Sequence, residues 1–132
     1  MMQMEVGFPG NMKVEAKFRG FSVMTDQPQT GGGENSAPTP FELFLASLAT
    51  CAGIYVKGFC MQRGLDTENI KVIQEVEPGT KQGMLGKVII KIQVPEDFPK
   101  QYHNALVSSA NLCAVKKHMQ DPPEFEIVTE AV

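Results

Sequence analysis

The chain has 132 residues, 12 Lys and Arg against 15 Asp and Glu, three Cys and no Trp, with 42% of its residues hydrophobic. That is the size of a single compact domain, with a core large enough to hold without metal or disulfide staples. A net charge of −3, with no basic cluster larger than Lys116-Lys117, offers no footprint for nucleic acid or an anionic membrane, and neither is expected as a partner.

The first 25 residues alternate with period two: Met2, Met4 and Val6, then Val14, Ala16 and Phe18, then Phe21 and Val23. Pro9-Gly10-Asn11 and Arg19-Gly20 interrupt the alternation where turns belong, which predicts a three-stranded antiparallel meander with one wet face. Residues 26–38 lose all periodicity and include Gly31-Gly32-Gly33. This run has no Gly-Lys-Ser/Thr ending of a phosphate loop, and is expected to be a flexible flap and a candidate lid.

Thr39-Pro40-Phe41-Glu42 supplies a Thr N-cap, a Pro at the first helical position and a Glu at N3, the pattern of a capping box. The helix it starts is expected to run from about Pro40 to Arg63 and to stop at Gly64. Ala46, Ser47, Ala49, Thr50, Ala52 and Gly53 make it small-sided and fit for central burial. Its apolar stretch, Phe41 to Val56, is interrupted by Glu42, Ser47 and Thr50 and is shorter than the roughly 20 residues of a membrane span.

Period two returns from Ile70 to about Glu77 and again at Val88, Ile90, Ile92 and Val94, with Pro78 to Gly83 joining the two strands as a hairpin. From Pro99 a helical stripe of Tyr102, Ala105, Leu106, Ser109, Leu112, Cys113 and Met119 runs until Pro122-Pro123. A last short strand is expected over Phe125 to Thr129. The order βββ-α-ββ-α-β predicts an α+β fold with antiparallel sheet.

Three cysteines cannot complete an intramolecular disulfide framework, and Met1-Met2-Gln3-Met4-Glu5 does not read as a leader, so a reducing, cytoplasmic setting is expected. Cys51 and Cys60 lie nine residues apart on one helix, about 180° around it and roughly 13 Å along it, too far for a disulfide. Cys51 and Cys113 come from the two apolar helices and meet if these pack together. A meeting pair in a reducing compartment suits catalysis or redox sensing, but free cysteine is also a common buried small hydrophobe, and on spacing and periodicity alone packing is the expected role of all three. His103 and His118 do not form a recognised ligand spacing with Cys113, so no metal is called for.

The segment Asn35 to Cys51, NSAPTPFELFLASLATC, resembles the central-helix motif of the OsmC/Ohr family, the osmotically inducible and organic hydroperoxide resistance proteins. In that motif a Pro-x-Glu-Leu or Pro-Glu-x-Leu start leads through small residues to a reactive cysteine. Leu112-Cys113-Ala114-Val115 is similar to the second motif, and the element order matches over the whole chain, as one OsmC-like domain over 1–132. The resemblance implies an intertwined homodimer with central helices buried between subunits and no cofactor. It further implies a thiol peroxidase, in which Cys51 attacks an organic hydroperoxide and becomes a sulfenic acid. Cys113 then resolves it to a disulfide, and a dithiol reductant, lipoyl-type or thioredoxin-like, restores the pair. Cys60 has no counterpart in either motif and is assigned to packing.

A peroxidatic cysteine must be a thiolate, and a free thiol near pKa 8.5 is only a few per cent ionised at neutral pH. Cys51 lies about three turns from the N-cap of its own helix, beyond the reach of that dipole, so a cation is expected nearby. In the family's peroxidase branches this is an Arg from the N-terminal strands, held by a Glu directly after the Pro. That position is Phe41 here; Glu42 follows it, with its capping role as the alternative explanation, and Arg19, at a turn, is the candidate cation. The alternative function is a non-enzymatic member of the fold that binds a small molecule or senses redox state.

Overall fold

The computed structural model describes residues 2–132; Met1, part of the stretch read for a leader, lies outside them. The chain forms two compact units, residues up to Ala46 and Ser47–Val132, and the central helix runs through the division.

In the first unit β1 (Glu5–Gly10), β2 (Lys13–Phe18) and β3 (Phe21–Thr25) form an antiparallel sheet in that order. Arg19 and Gly20 sit between the paired Phe18 and Phe21 with φ of 48° and 80°, the positive pair that a type I′ turn requires. The expectation of one wet face holds poorly for β1, which is exposed along its whole length.

Residues 26–38 are not a loose flap. Asp26 is completely buried, and its carboxylate accepts from the Gln27 N–H (2.8 Å), the Glu34 N–H (3.3 Å), the Ser36 N–H (3.0 Å) and the Ser36 hydroxyl (2.6 Å). The loop wraps around this one anion. Backbone bonds from Asp26 N–H to Pro38 and from Asn35 N–H to Gln27 close it, and a Cβ at Gly33 would stand 2.0 Å from the Gln27 carbonyl oxygen. These four bonds, chiefly those from Ser36, hold the Asp26 carboxyl down at about 2.

The capping box forms as expected: the Glu42 N–H donates to Thr39 Oγ1 (3.2 Å) and the Thr39 N–H to Glu42 Oε1 (3.0 Å). It opens α1 (Pro40–Gln62), which Gly64 closes with φ of 66° while the Leu65 N–H reaches the Cys60 carbonyl (2.9 Å). At 23 residues α1 exceeds the apolar stretch read from the sequence and is long and apolar enough to cross a bilayer by length and composition alone. Its buried residues Leu48, Ala52, Val56 and Phe59 recur at helical spacing, the stripe of a core helix.

In the second unit β4 (Lys71–Pro78) and β5 (Leu85–Gln93) make an antiparallel hairpin that pairs Val72 with Ile92 and Val76 with Val88. The core gathers Val56, Phe59, Cys60, Phe98 and Leu106, with Ile92, Val94 and Tyr102 packed against it. Cys60 is fully buried among them, in keeping with a packing role.

Two expectations fail in this unit. The second helix is not continuous: after a 3-10 turn it runs as α2 (His103–Ala110), breaks, and resumes as α3 (Ala114–Gln120). The break is at Cys113, whose ψ of 119° is not helical and whose Sγ accepts the Lys116 N–H at 3.4 Å, so that it caps α3. The last strand is also absent. Residues 122–132 have no regular structure, with Phe125 85% and Ile127 98% exposed, because a strand needs a neighbour and none of the described residues pairs with this segment.

Candidate functional site

Cys51 and Cys113 are brought together. Cys51 stands on the middle of α1, partly exposed, and Cys113 at the α2–α3 break is buried, at 3% exposure. All three cysteines are free thiols. The Cys51 sulfur receives the backbone N–H groups of Val115 and Ala114 and the thiol of Cys113. These donors, the Val115 amide foremost, pull the Cys51 thiol below its ordinary value against the opposing effect of burial. Burial, and then the bond to Cys51, push the Cys113 thiol up. The two thiols are shifted in opposite directions, Cys51 down and Cys113 up.

The source of this activation differs from the sequence expectation. Cys51 is indeed too far from the start of its own helix, but the break at Cys113 turns the first amides of a second helix toward it. No motif in the sequence marks that break, since residues 111–113 contain neither Gly nor Pro. The available signal was Cys113 standing three residues before Lys116, as an Asn or Ser cap would.

Arg19 stands in the β2–β3 turn with its guanidinium 5.2 Å from the centroid of the Phe21 ring. Glu42 is engaged in the capping box. Both belong to the first unit, whereas Cys51 and Cys113 belong to the second.

Two spaces border the cysteine pair. An open groove of about 1060 Å³ between α1 and α2 is lined by Cys51, Ile54, Tyr55, Phe59, Ser109 and Leu112, among others. A smaller apolar cavity of about 250 Å³ is lined by Cys113 with Leu48, Ala52, Ile90, Val107 and Met119, and carries Asn111 and Lys116 as its polar groups. Lys116 Nζ donates to Asn111 Oδ1 at 2.6 Å. Among the described residues no group of three His, Cys, Asp or Glu side chains is placed to hold a metal ion. His118 Nδ1 lies 2.7 Å from the Ala114 carbonyl oxygen, and the His103 ring packs on Phe98.

The fold and the sequence both have counterparts. A putative osmotic stress induced and detoxification response protein from Psychrobacter arcticus superposes with a TM-score of 0.75 at 19% identity, over 89% of this chain and 87% of that one. An organic hydroperoxide resistance protein OsmC from Legionella pneumophila gives 0.59 at 16% identity, over 91% and 89%. The organic hydroperoxide resistance protein OhrB of Bacillus subtilis gives 0.54 at 16% identity, over 92% of each chain. No curated protein matches the chain. At these identities the structures establish the fold, while the family model for OsmC-like proteins matches residues 32–128, from the Gly-rich loop past both cysteines. A sequence match over that span joins the capped central helix to the Cys113 break, and the chain belongs to the OsmC-like protein family.

Proposed function

We propose that the protein is a thiol-dependent peroxidase that reduces organic hydroperoxides in oxidative-stress defence. The observation that carries this reading is the unequal pair: a partly exposed Cys51 thiol drawn below its ordinary value by two backbone amides, beside a buried Cys113 thiol pushed above it. The structural likeness to hydroperoxide resistance proteins of Legionella pneumophila and Bacillus subtilis supports it.

In this mechanism the Cys51 thiolate attacks one peroxide oxygen, the O–O bond breaks, and the alkoxide leaves as the alcohol after taking a proton. Cys51 is now a sulfenic acid. The Cys113 sulfur attacks it, an S–S bond forms, and the hydroxyl leaves as water with the Cys113 proton. One hydroperoxide and two thiols have become an alcohol, water and a disulfide, which a dithiol reductant returns to the thiols. Trapping by Cys113 prevents irreversible over-oxidation. No cofactor takes part. The groove beside Cys51, with Ile54, Tyr55 and Leu112, suits an apolar substrate.

The protein works, in this reading, as a cytoplasmic homodimer. Exposed Met61 on α1, and Phe125, Ile127 and Val128 in the C-terminal segment, are the surfaces a second copy would cover. Arg19 and Glu42 are proposed as auxiliary site residues in that assembly.

The assay is cumene hydroperoxide consumption with a dithiol reductant. Cys51→Ser is expected to lower the rate at least a thousandfold. Cys113→Ser should stop at the Cys51 sulfenic acid after one hydroperoxide, and a second hydroperoxide should carry it to the sulfinic acid. Absence of turnover in the native chain with both lipoyl-type and thioredoxin-like reductants would leave the non-enzymatic reading.

A further inference from the structure

We propose that the thiol that re-reduces the Cys51–Cys113 disulfide attacks Cys113, not Cys51, and reaches it through the apolar cavity beneath the α2–α3 break. The origin of the disulfide rests on the peroxidase reading; the direction of attack does not.

The two spaces at the pair have no lining residue in common. Along α1, Leu48 and Ala52 line the cavity, whereas Cys51 and Tyr55 line the groove. Each set is four residues apart and so shares one helix face, and one residue of offset turns a side chain by about 100°. On α2 the same division separates Val107 and Ala110 from Ala105, Ser108 and Ser109. Each sulfur therefore borders its own space: Cys51 the groove, Cys113 the cavity.

Thiol–disulfide exchange is an in-line displacement in which the attacking sulfur approaches one sulfur opposite the other, and the better leaving thiolate leaves faster. Attack on Cys113 expels Cys51 into the Val115 and Ala114 amides that already stabilise its anion. Attack on Cys51 would instead expel Cys113 as an anion at a buried position, where desolvation outweighs the Lys116 and Val115 N–H groups that act on it. The geometry favours the first course. At about 250 Å³ the cavity lies just below the size of ordinary small-molecule sites, roughly 300 to 1,000 Å³, which fits a compact apolar thiol and not a folded protein surface.

The exchange balances as follows. The attacking thiolate bonds to Cys113 Sγ, the S–S bond breaks, and its electron pair remains on Cys51. For a dithiol, the second sulfur then attacks the first, Cys113 leaves and takes a proton, and the reductant departs as a cyclic disulfide.

The test uses full-length protein oxidised with diamide, so that the disulfide is made without any peroxidase step. Benzyl mercaptan, an apolar monothiol, is added briefly, the reaction is quenched in acid, and the adduct is located by peptide mass spectrometry. At least tenfold more adduct on Cys113 than on Cys51 is expected, and Val107→Trp, at a 55% exposed position lining the cavity, should slow its formation about tenfold. Adduct on Cys51, or equal adduct on both, overturns the direction of attack and leaves the peroxidase reading standing. An unchanged rate in Val107→Trp overturns the cavity route. Failure of diamide to join Cys51 to Cys113 removes this proposal and the resolving role of Cys113 together.

Discussion

Two places in this molecule use the same physics to different ends: the loop around Asp26 and the helix break at Cys113. In both, backbone N–H groups, from a loop in one case and from the first turn of a helix in the other, converge on an acidic side chain. At Asp26 the amides of Gln27, Glu34 and Ser36 and the Ser36 hydroxyl enclose a carboxylate that has no exposure. At Cys51 the amides of Ala114 and Val115 hold a sulfur that also lines an open groove. The enclosed group organises a loop, and the accessible one is available for chemistry. Donor geometry alone does not separate structure from function; access does.

The largest effects should come from forcing the enclosed site open. Gly33→Ala puts a methyl 2.0 Å from the Gln27 carbonyl oxygen, and only backbone movement relieves it. A loss of about 3 kcal/mol is expected in urea denaturation. Asp26→Asn tests the charge itself. Its folded-state pKa of about 2 lies below the ordinary aspartate value of 3.8, so between these values the unfolded chain binds more protons than the folded one. The stability this carboxylate contributes is present above pH 4 and is lost as pH falls toward 2. The variant should be less stable at neutral pH and lose less between pH 4 and 2. A parallel acid limb in the two proteins would contradict the enclosed-anion account. The smallest effect belongs to Cys60→Ala, which trims a buried cysteine that serves only as packing: about 1 kcal/mol in denaturation and no change in the reactivity of Cys51.

Most of the fold was legible because its signals are local. Arg19-Gly20 marked a turn, Thr39 to Glu42 a capped helix start, Gly64 its end, and Val88, Ile90 and Ile92 a strand face. What escaped depends on tertiary contact. Asp26 looked like one polar residue in an aperiodic loop, because its four donors are specified by the way the chain folds back. Cys113 looked like one more residue on a helical stripe, because a thiol cap carries no Gly or Pro signature. The Phe125–Thr129 alternation promised a strand, but pairing requires an edge, and the segment lies exposed in the chain. The proximity of Cys51 and Cys113 was foreseeable from two apolar helices; the amides at the break and the burial that distinguishes the two sulfurs were not.

The central claim is that the helix break makes Cys51 the more acidic thiol of the pair. Iodoacetamide alkylation of Cys51, followed by mass spectrometry from pH 5 to 10, measures this directly. The account predicts a midpoint for Cys51 below that of an ordinary cysteine, with Cys113 titrating above it. A Cys51 midpoint at or above that value, or a Cys113 midpoint below that of Cys51, would contradict it.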